Sequence, residues 1–476
     1  MNWQQTILYN LNNLGAKRLI IQDKTGILLR TEFASFLSTS DIQYCICIIP
    51  EHLLENKFID NEIVIIPDIE IPSFIAEKST IQEFDFRHLP LHIDAELAKT
   101  LDTDDLIALL YFQNTEKSIK NINEYNITEC VHEAQVSFKK SELAQLKHKI
   151  YAISADKACD YDQVLLIGEL WGQYVHQCWK VGVKPSDSLK EQIDDTTFPF
   201  VKGSDWQNIF HLTVNNFKSV DRIRDYIKQK GYNKTALICF DGMGIAEWEL
   251  LKEYLSPLNL EYQQRNIFSL IPSTTLVSRS AIYSGYEEPY KDKTLNEEKQ
   301  LQKFFAERNI AFYREGDIHD SEKLLGLDFV SIVYLVFDKL GHATNFPHGE
   351  TTKDLYFENV SKYLEKSSIL NELKILAEDG FSIFLCSDHG CVVASGNGQK
   401  LEKYLIEKNC KRAGIAKDSS LIENLDIEKM QVPFIDNKVV LLAEKRTIFT
   451  SKKLTEISHG GITVDEIVIP FIEVIS

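Results

Sequence analysis

The sequence predicts an α/β protein whose main body is a doubly wound, mostly parallel sheet, preceded by a small α/β domain and a helical connector. Three nearly continuous apolar runs, 235–240, 329–337 and 382–387, have the character of strands buried on both faces. Amphipathic segments at 296–309 and 354–378 lie between them with helical spacing. Each apolar run is followed at once by an aspartate: Asp241, Asp338 and Asp388.

Composition bounds the function before any motif is read. A chain of 476 residues with 44% hydrophobic and 26% charged residues has ordinary globular proportions and needs no disulfide staples. Seventy acidic against 52 basic residues leave a formal charge of −18, the wrong sign for a broad basic surface that coats nucleic acid. An anionic substrate remains compatible, because divalent cations in a pocket outweigh the surrounding carboxylates locally. The nine cysteines form no C-x-x-C pair, and Cys45 and Cys47 sit in an apolar run, so they read as buried reduced thiols. The N-terminus lacks a basic and apolar leader, and no window reaches the ~18 uninterrupted apolar residues of a membrane span. The expectation is a cytoplasmic protein with no membrane partner.

Three regions follow one another. Residues 1–122 alternate short apolar runs (18–21, 44–49, 62–66) with helix-permissive ones, the pattern of a small α/β domain. Strands ending in acids, at Asp23 and Asp68, raise a phospho-receiver, but the acidic pair after its first strand is missing. Residues 123–231 carry long helix-compatible stretches (141–150, 162–179, 221–228) and read as a helical connector. Within it, Pro185, Asp187, Asp194, Asp195, Pro199 and Gly203 supply turn chemistry and predict loops. Residues 232–476 hold the three buried strands.

In open α/β sheets the ligand crevice lies beyond the carboxyl ends of the strands, so three strand-end acids distant in sequence converge on one site. Taken singly, each aspartate is more often a turn or cap residue. Histidines add to the set: His342 lies four after Asp338, and His389 directly follows Asp388. Imidazole beside carboxylate suits zinc or manganese. Residues 269–285 run from an apolar stretch through Pro272 into a hydroxyl-rich helix start, where a threonine hydroxyl either meets an anion or caps the helix. His459 lies in a glycine-rich loop before the last apolar strand.

The order Asp-Gly-Met-Gly (241–244) with Trp248 behind it, Pro-Ser-Thr-Thr-x-x-x-Arg-x-x-x-x-Ser-Gly (272–285), Asp-x-x-x-His (338–342), Ser-Asp-His-Gly (387–390) and His-Gly-Gly (459–461) resembles a PglZ domain of the alkaline phosphatase superfamily. The resemblance covers about residues 232–476. It implies an alkaline-phosphatase-like fold and two divalent ions, zinc or alternatively manganese. One is held by Asp241, Thr275, Asp388 and His389, the other by Asp338, His342 and His459. It further implies a nucleophilic Thr275, with Thr274 the alternative by register. The implied reaction is in-line attack on phosphorus, a phosphothreonine, and its hydrolysis. Arg279, one helical turn after Thr275, either steadies a phosphoryl oxygen or pairs with an acid, and Lys339 is a weaker candidate for the same role.

Departures narrow the substrate. The C/S-x-P-x-R context of sulfatases and the Asp-Ser-Ala run of phosphomonoesterases are both absent, which favours phosphodiesters, of nucleotides or of nucleic-acid-like chains. The N-terminal half resembles PglZ proteins of BREX-type phage defence more than receiver-fused ones, which implies protein partners from a defence system. The rival expectation is a catalytically silent scaffold that binds such partners.

Overall fold

A computed structural model describes residues 3–12, 19–38, 44–48, 63–115, 122–155, 159–285, 296–345, 352–402, 406–432 and 438–475. The chain divides into two units, Met1–Glu142 and Leu143–Ser476.

In the first unit, β1 (Leu19–Asp23), β2 (Tyr44–Ile46), β3 (Ile63–Pro67) and β4 (Thr80–Phe84) form a parallel sheet in the order β2-β3-β1-β4. Ile21 and Ile65 bury on one side and Ile20, Val64 and Ile66 on the other, as in a sheet covered on both faces. Of the expected runs, Arg18, Ile49 and Glu62 lie outside the described residues. The edge strand β4 is mostly exposed, so it lacks an apolar run by which to be read. Asp23 anchors the loop that follows β1, its carboxylate accepting from the backbone of Thr25, Gly26 and Leu28.

The second unit holds a single large core. Val164 and Trp171 from the helix Tyr161–Val181, Leu189 and Ile193 from Asp187–Lys202, and Ile223 and Ile227 from Ile223–Lys230 bury in the same cluster as the sheet residues Ile238 and Val468. These three helices therefore share the core of the sheet. The loops expected at Asp194, Asp195 and Pro199 are instead helix interior. Tertiary contacts override the local turn chemistry there: Asp194 is buried against the Arg446 guanidinium at 3.2 Å, and Ile193, Phe198 and Val201 face the core.

The main sheet collects β5 (Thr235–Phe240), β6 (Glu261–Phe268), β7 (Ile310–Arg314), β8 (Phe329–Tyr334) and β9 (Ser382–Ser387). Among the described residues, seven short strands follow: β10 (Val392–Gly396), β11 (Ile406–Asn409), β12 (Ala413–Ala416), β13 (Glu428–Gln431), β14 (Val439–Leu442), β15 (Thr447–Ile448) and β16 (Thr455–Ser458). β17 (Val468–Ile475) then returns to the main sheet, whose order is β6-β17-β9-β5-β8-β7. β5, β7, β8 and β9 pair in parallel, while β17 runs antiparallel to β6 and β9. The short strands form two further sheets, β15-β10-β16 and β11-β12-β14-β13.

One expected strand is shorter than its apolar run. β8 stops at Tyr334, and Val336 opens the helix Val336–Ala343, which places Asp338 in a helical first turn rather than at a strand end. Val336 and Phe337 are buried either way, and an apolar run alone does not separate strand from buried helix. Among the described residues, no helix is long and apolar enough to cross a membrane.

Arg412 and Glu466 tie the inserted sheet to the last turn before β17. Both are fully buried, and Arg412 donates from Nε and Nη2 to the two carboxylate oxygens at 2.9 and 2.7 Å. Burial raises the Glu466 carboxyl, but Arg412 outweighs it and holds it below its ordinary value. The stabilisation is thus complete at neutral pH and lost as pH falls through that lowered value. Arg412→Met strands a buried charge, and urea denaturation should register a loss of about 3–5 kcal/mol. The double variant Arg412→Met/Glu466→Leu should recover much of it.

Candidate metal centre

The sheet order explains the convergence. β5 lies between β9 and β8, and Phe240 is level with both Ser387 and Tyr334, so Asp241 and Asp388 leave adjacent strands at the same height. The Asp241 N–H continues the ladder to the Tyr334 carbonyl at 2.8 Å, and the Asp338 N–H donates to the Asp241 carbonyl at 3.0 Å. This bond sets the first turn of the helix Val336–Ala343 against the end of β5. Gly242 sits between them at φ +82°, where a Cβ would lie 2.9 Å from the Asp338 nitrogen. Only glycine supplies both the conformation and the space.

The loop that holds Thr275 is stitched to the loop that holds His459. Ser273 donates from Oγ to the Gly461 carbonyl at 2.8 Å and accepts from the Gly460 N–H at 3.1 Å. Gly460 takes φ +114° to make this turn. Glu466 accepts from the Gly461 N–H at 2.7 Å, so the Arg412 pair braces the same loop.

Two clusters of donor atoms result, Asp241, Asp388 and His389, and Asp338, His389 and His459, each with its atoms within 4.8 Å of one another. His389 belongs to both, and its ring stacks on that of His459 with centroids 4.0 Å apart. His389 Nδ1 lies 3.1 Å from the Gly390 carbonyl and His459 Nδ1 lies 3.1 Å from the Ser273 carbonyl. A carbonyl only accepts, so each Nδ1 carries the proton and each Nε2 keeps its lone pair for the site. The Thr275 hydroxyl lies 3.2 Å from Asp241 Oδ1 and 3.1 Å from His389 Nε2. His342 stands at the margin: it is half exposed, outside both clusters, with Nε2 3.3 Å from Asp338 Oδ1.

Electrostatics show what the arrangement lacks. Burial, and then the charge of Asp241, push Asp388 well above the usual carboxylate range, and its buried Oδ2 has no hydrogen-bond partner. Burial also raises Asp338, but the hydrogen bond with His342 and the charges of His459 and His389 hold it below its usual range. Burial, with His389 nearby, lowers His459 to about 4. Crowded carboxylates, an orphaned buried oxygen and imidazoles with inward lone pairs fit divalent cations. Asp241, Thr275, Asp388 and His389 could hold one; Asp338 and His459, with His342 at their edge, could hold another, and the single Nε2 lone pair of His389 serves one or the other.

Arg279 is turned toward the acids. Its Nη1 donates to Asp241 Oδ2 at 2.6 Å and lies 3.9 Å from Asp388 Oδ2, while Glu297 Oε1 lies 3.0 Å from its Nε. Burial works against the guanidinium charge, but Asp388 and Asp241 outweigh it and raise its pKa. Glu297 went unread in the sequence, where it opens an ordinary acidic helix start. It is 6% exposed, and its fixing of Arg279 is a long-range contact that no local signal encodes. Lys339 points elsewhere, lining a cavity of about 860 Å³ with Arg314 and Lys366. A smaller cavity, of about 390 Å³, opens beside Thr275, Thr274 and His459.

The fold and the site define an α/β protein with a carboxylate and histidine cluster that could hold cations at the rim of a mostly parallel sheet. Residues 220–474, more than half of the chain, match the family described as the BREX system PglZ alkaline phosphatase-like domain. The chain belongs to that family. Among solved structures, it is similar to murine ectonucleotide pyrophosphatase/phosphodiesterase 5, at 12% identity and a TM-score of 0.34 over 50% of this chain and 87% of that one. It is also similar to phosphonoacetate hydrolase from Sinorhizobium meliloti 1021, at 14% identity and a TM-score of 0.31 over 50% of this chain and 89% of that one. No curated protein matches.

Glu297→Gln should loosen Arg279 and with it Asp241, weakening metal affinity roughly 10- to 100-fold, as loss of an outer support does elsewhere. Titration with zinc under a competing chelator measures it. Asp388→Asn should lower the metal bound per chain after dialysis, read by elemental analysis.

Proposed function

We propose that this protein is a metal-dependent phosphoester hydrolase, a phosphodiesterase acting on nucleotide or nucleic-acid-like esters, with Thr275 as nucleophile. The observation that carries this reading is the Thr275 hydroxyl, within hydrogen-bond reach of both Asp241 Oδ1 and His389 Nε2. Two cations, when bound, would lower the pKa of the hydroxyl and offset charge on the phosphoryl oxygens. Asp241 and His389 orient the hydroxyl, and Asp241 Oδ1 accepts its proton as Oγ1 closes on phosphorus. The new Oγ1–P bond replaces the bond to the leaving alcohol, and hydrolysis of the phosphothreonine returns the free hydroxyl. Arg279 keeps Asp241 in place throughout. Membership in the BREX PglZ family supports a setting in phage defence, in the cytoplasm and alongside partner proteins of that system. Buried cysteines such as Cys178 and Cys391, whose thiols burial pushes up to about 11 and 12, suit a reducing compartment.

A silent scaffold is the second reading, and Arg279 favours it: a guanidinium on Asp241 and near Asp388 neutralises part of the charge a cation would otherwise meet. Turnover separates the two. Chelated protein reloaded with zinc or manganese should hydrolyse bis(p-nitrophenyl) phosphate. Thr275→Ala should lose about 10³-fold or more of kcat even at saturating metal. Thr274→Ala should stay within about tenfold of native, the size expected when no bond-forming group is removed. Metal-loaded native protein no faster than Thr275→Ala would leave the scaffold.

A further inference from the structure

We propose that the cavity beside Thr275 receives an uncharged, apolar ester group of the substrate, and that the inserted sheet β11–β14 is the wall that selects it. This rests on Thr275 as the nucleophile. The cavity, about 390 Å³, falls at the small end of the range that takes organic ligands, enough for one substituent and too little for a chain of nucleotides.

One wall comes from the nucleophile loop, through Pro272, Thr274 and Leu276. The other comes from the insert, through Cys410, Ala413 and Ile415. Side chains alternate along β12: Ala413 and Ile415 lie on the face that joins the main core, and Ala416 lies on the opposite face, packed with Ile422 and Leu441. The backbone of β12 is paired with β11 on one side and β14 on the other, so the strand offers the cavity an apolar face. Cys410 Sγ accepts from the Ala413 N–H at 3.2 Å, and burial raises its thiol, which is therefore uncharged.

Two features set the chemistry of the occupant. No lysine or arginine is among the described lining residues, so a carboxylate carried on the substrate's ester group would lose water here without gaining a basic side chain as partner. The Thr274 hydroxyl, which makes no hydrogen bond among the described residues, is one side-chain donor left for an ester or ring oxygen. In-line displacement sets the leaving oxygen opposite Thr275 Oγ1, so a group lodged beside Thr275 is the substituent retained on phosphorus. A retained substituent exists only in a diester. The cavity thus favours diesters over monoesters, and among diesters those whose retained group turns an alkyl or aryl face to the wall, as a nucleoside ring can.

The test uses full-length, metal-loaded protein and p-nitrophenyl diesters whose second substituent is methyl, phenyl or 4-carboxyphenyl. The phenyl ester should exceed the other two at least tenfold in kcat/KM, the discrimination a hydrophobic pocket achieves. Ala413→Met should bring the phenyl-to-methyl ratio close to one. Leu276→Lys, at a half-buried position, should raise the 4-carboxyphenyl-to-phenyl ratio at least tenfold, and it serves if Ala413→Met does not fold. Equal turnover of the three esters by a Thr275-dependent enzyme would overturn the cavity proposal while leaving the hydrolase reading intact. If no ester is turned over, the hydrolase reading fails and binding decides. Diphenyl phosphate, titrated calorimetrically, should bind native protein at least tenfold more tightly than dimethyl phosphate, which carries the same charge, and equal affinity would overturn the proposal.

Discussion

Asp241, Asp338 and Asp388 crowd negative charge into a rim from which water is largely excluded, and the surrounding structure answers that crowding. Burial first, and then the charge of Asp241, raise Asp388, so these carboxylates resist sharing full ionisation. Compensation comes from Arg279, whose guanidinium pairs with Asp241, and from any cation that enters. Each neighbour is itself held. Glu297 fixes Arg279, the Gly390 and Ser273 carbonyls fix the histidine tautomers, and Asp338 is anchored through its backbone to Asp241. A preorganised charge deficit of this kind is what lets a site hold cations in one geometry.

The insert between β9 and β17 serves the same rim from the other side. Its Arg412 braces the His459 loop through Glu466, and its strand β12 forms the apolar wall of the cavity beside Thr275. The helices before β5 contribute at a distance: Trp171 donates to Asp465 at 2.8 Å, and Arg446 links Asp194 to that same Asp465, at the turn leading into β17. Three segments far apart in the chain therefore converge on the residues that position His459.

Much of this was legible in the chain. Asp241, Asp388 and His389 follow buried apolar strands directly, and strands so patterned have few places to go but the middle of a parallel sheet. Asp338 was legible as a residue but not as a helical one, because Val336 and Phe337 bury equally well in either conformation. Glu297 was invisible, since a glutamate at a helix start is unremarkable until Arg279 is folded against it. Asp194 and Pro199 carried turn chemistry that a buried ion pair with Arg446 overruled. The edge strand β4, exposed along most of its length, had no apolar run to announce it.

By itself the sequence determined which side chains stand at the mouth of the sheet, because apolar periodicity and the residue that ends each run are local properties. Only the tertiary structure decided how those side chains share their charge. It made His389 common to both clusters, left His342 at the margin, turned Arg279 onto Asp241, and opened the apolar cavity beside Thr275. The physical reason is range. Strand and helix patterns are set by neighbours a few positions apart, whereas desolvation, ion pairing and cavity shape depend on atoms that meet across hundreds of positions once the core has closed.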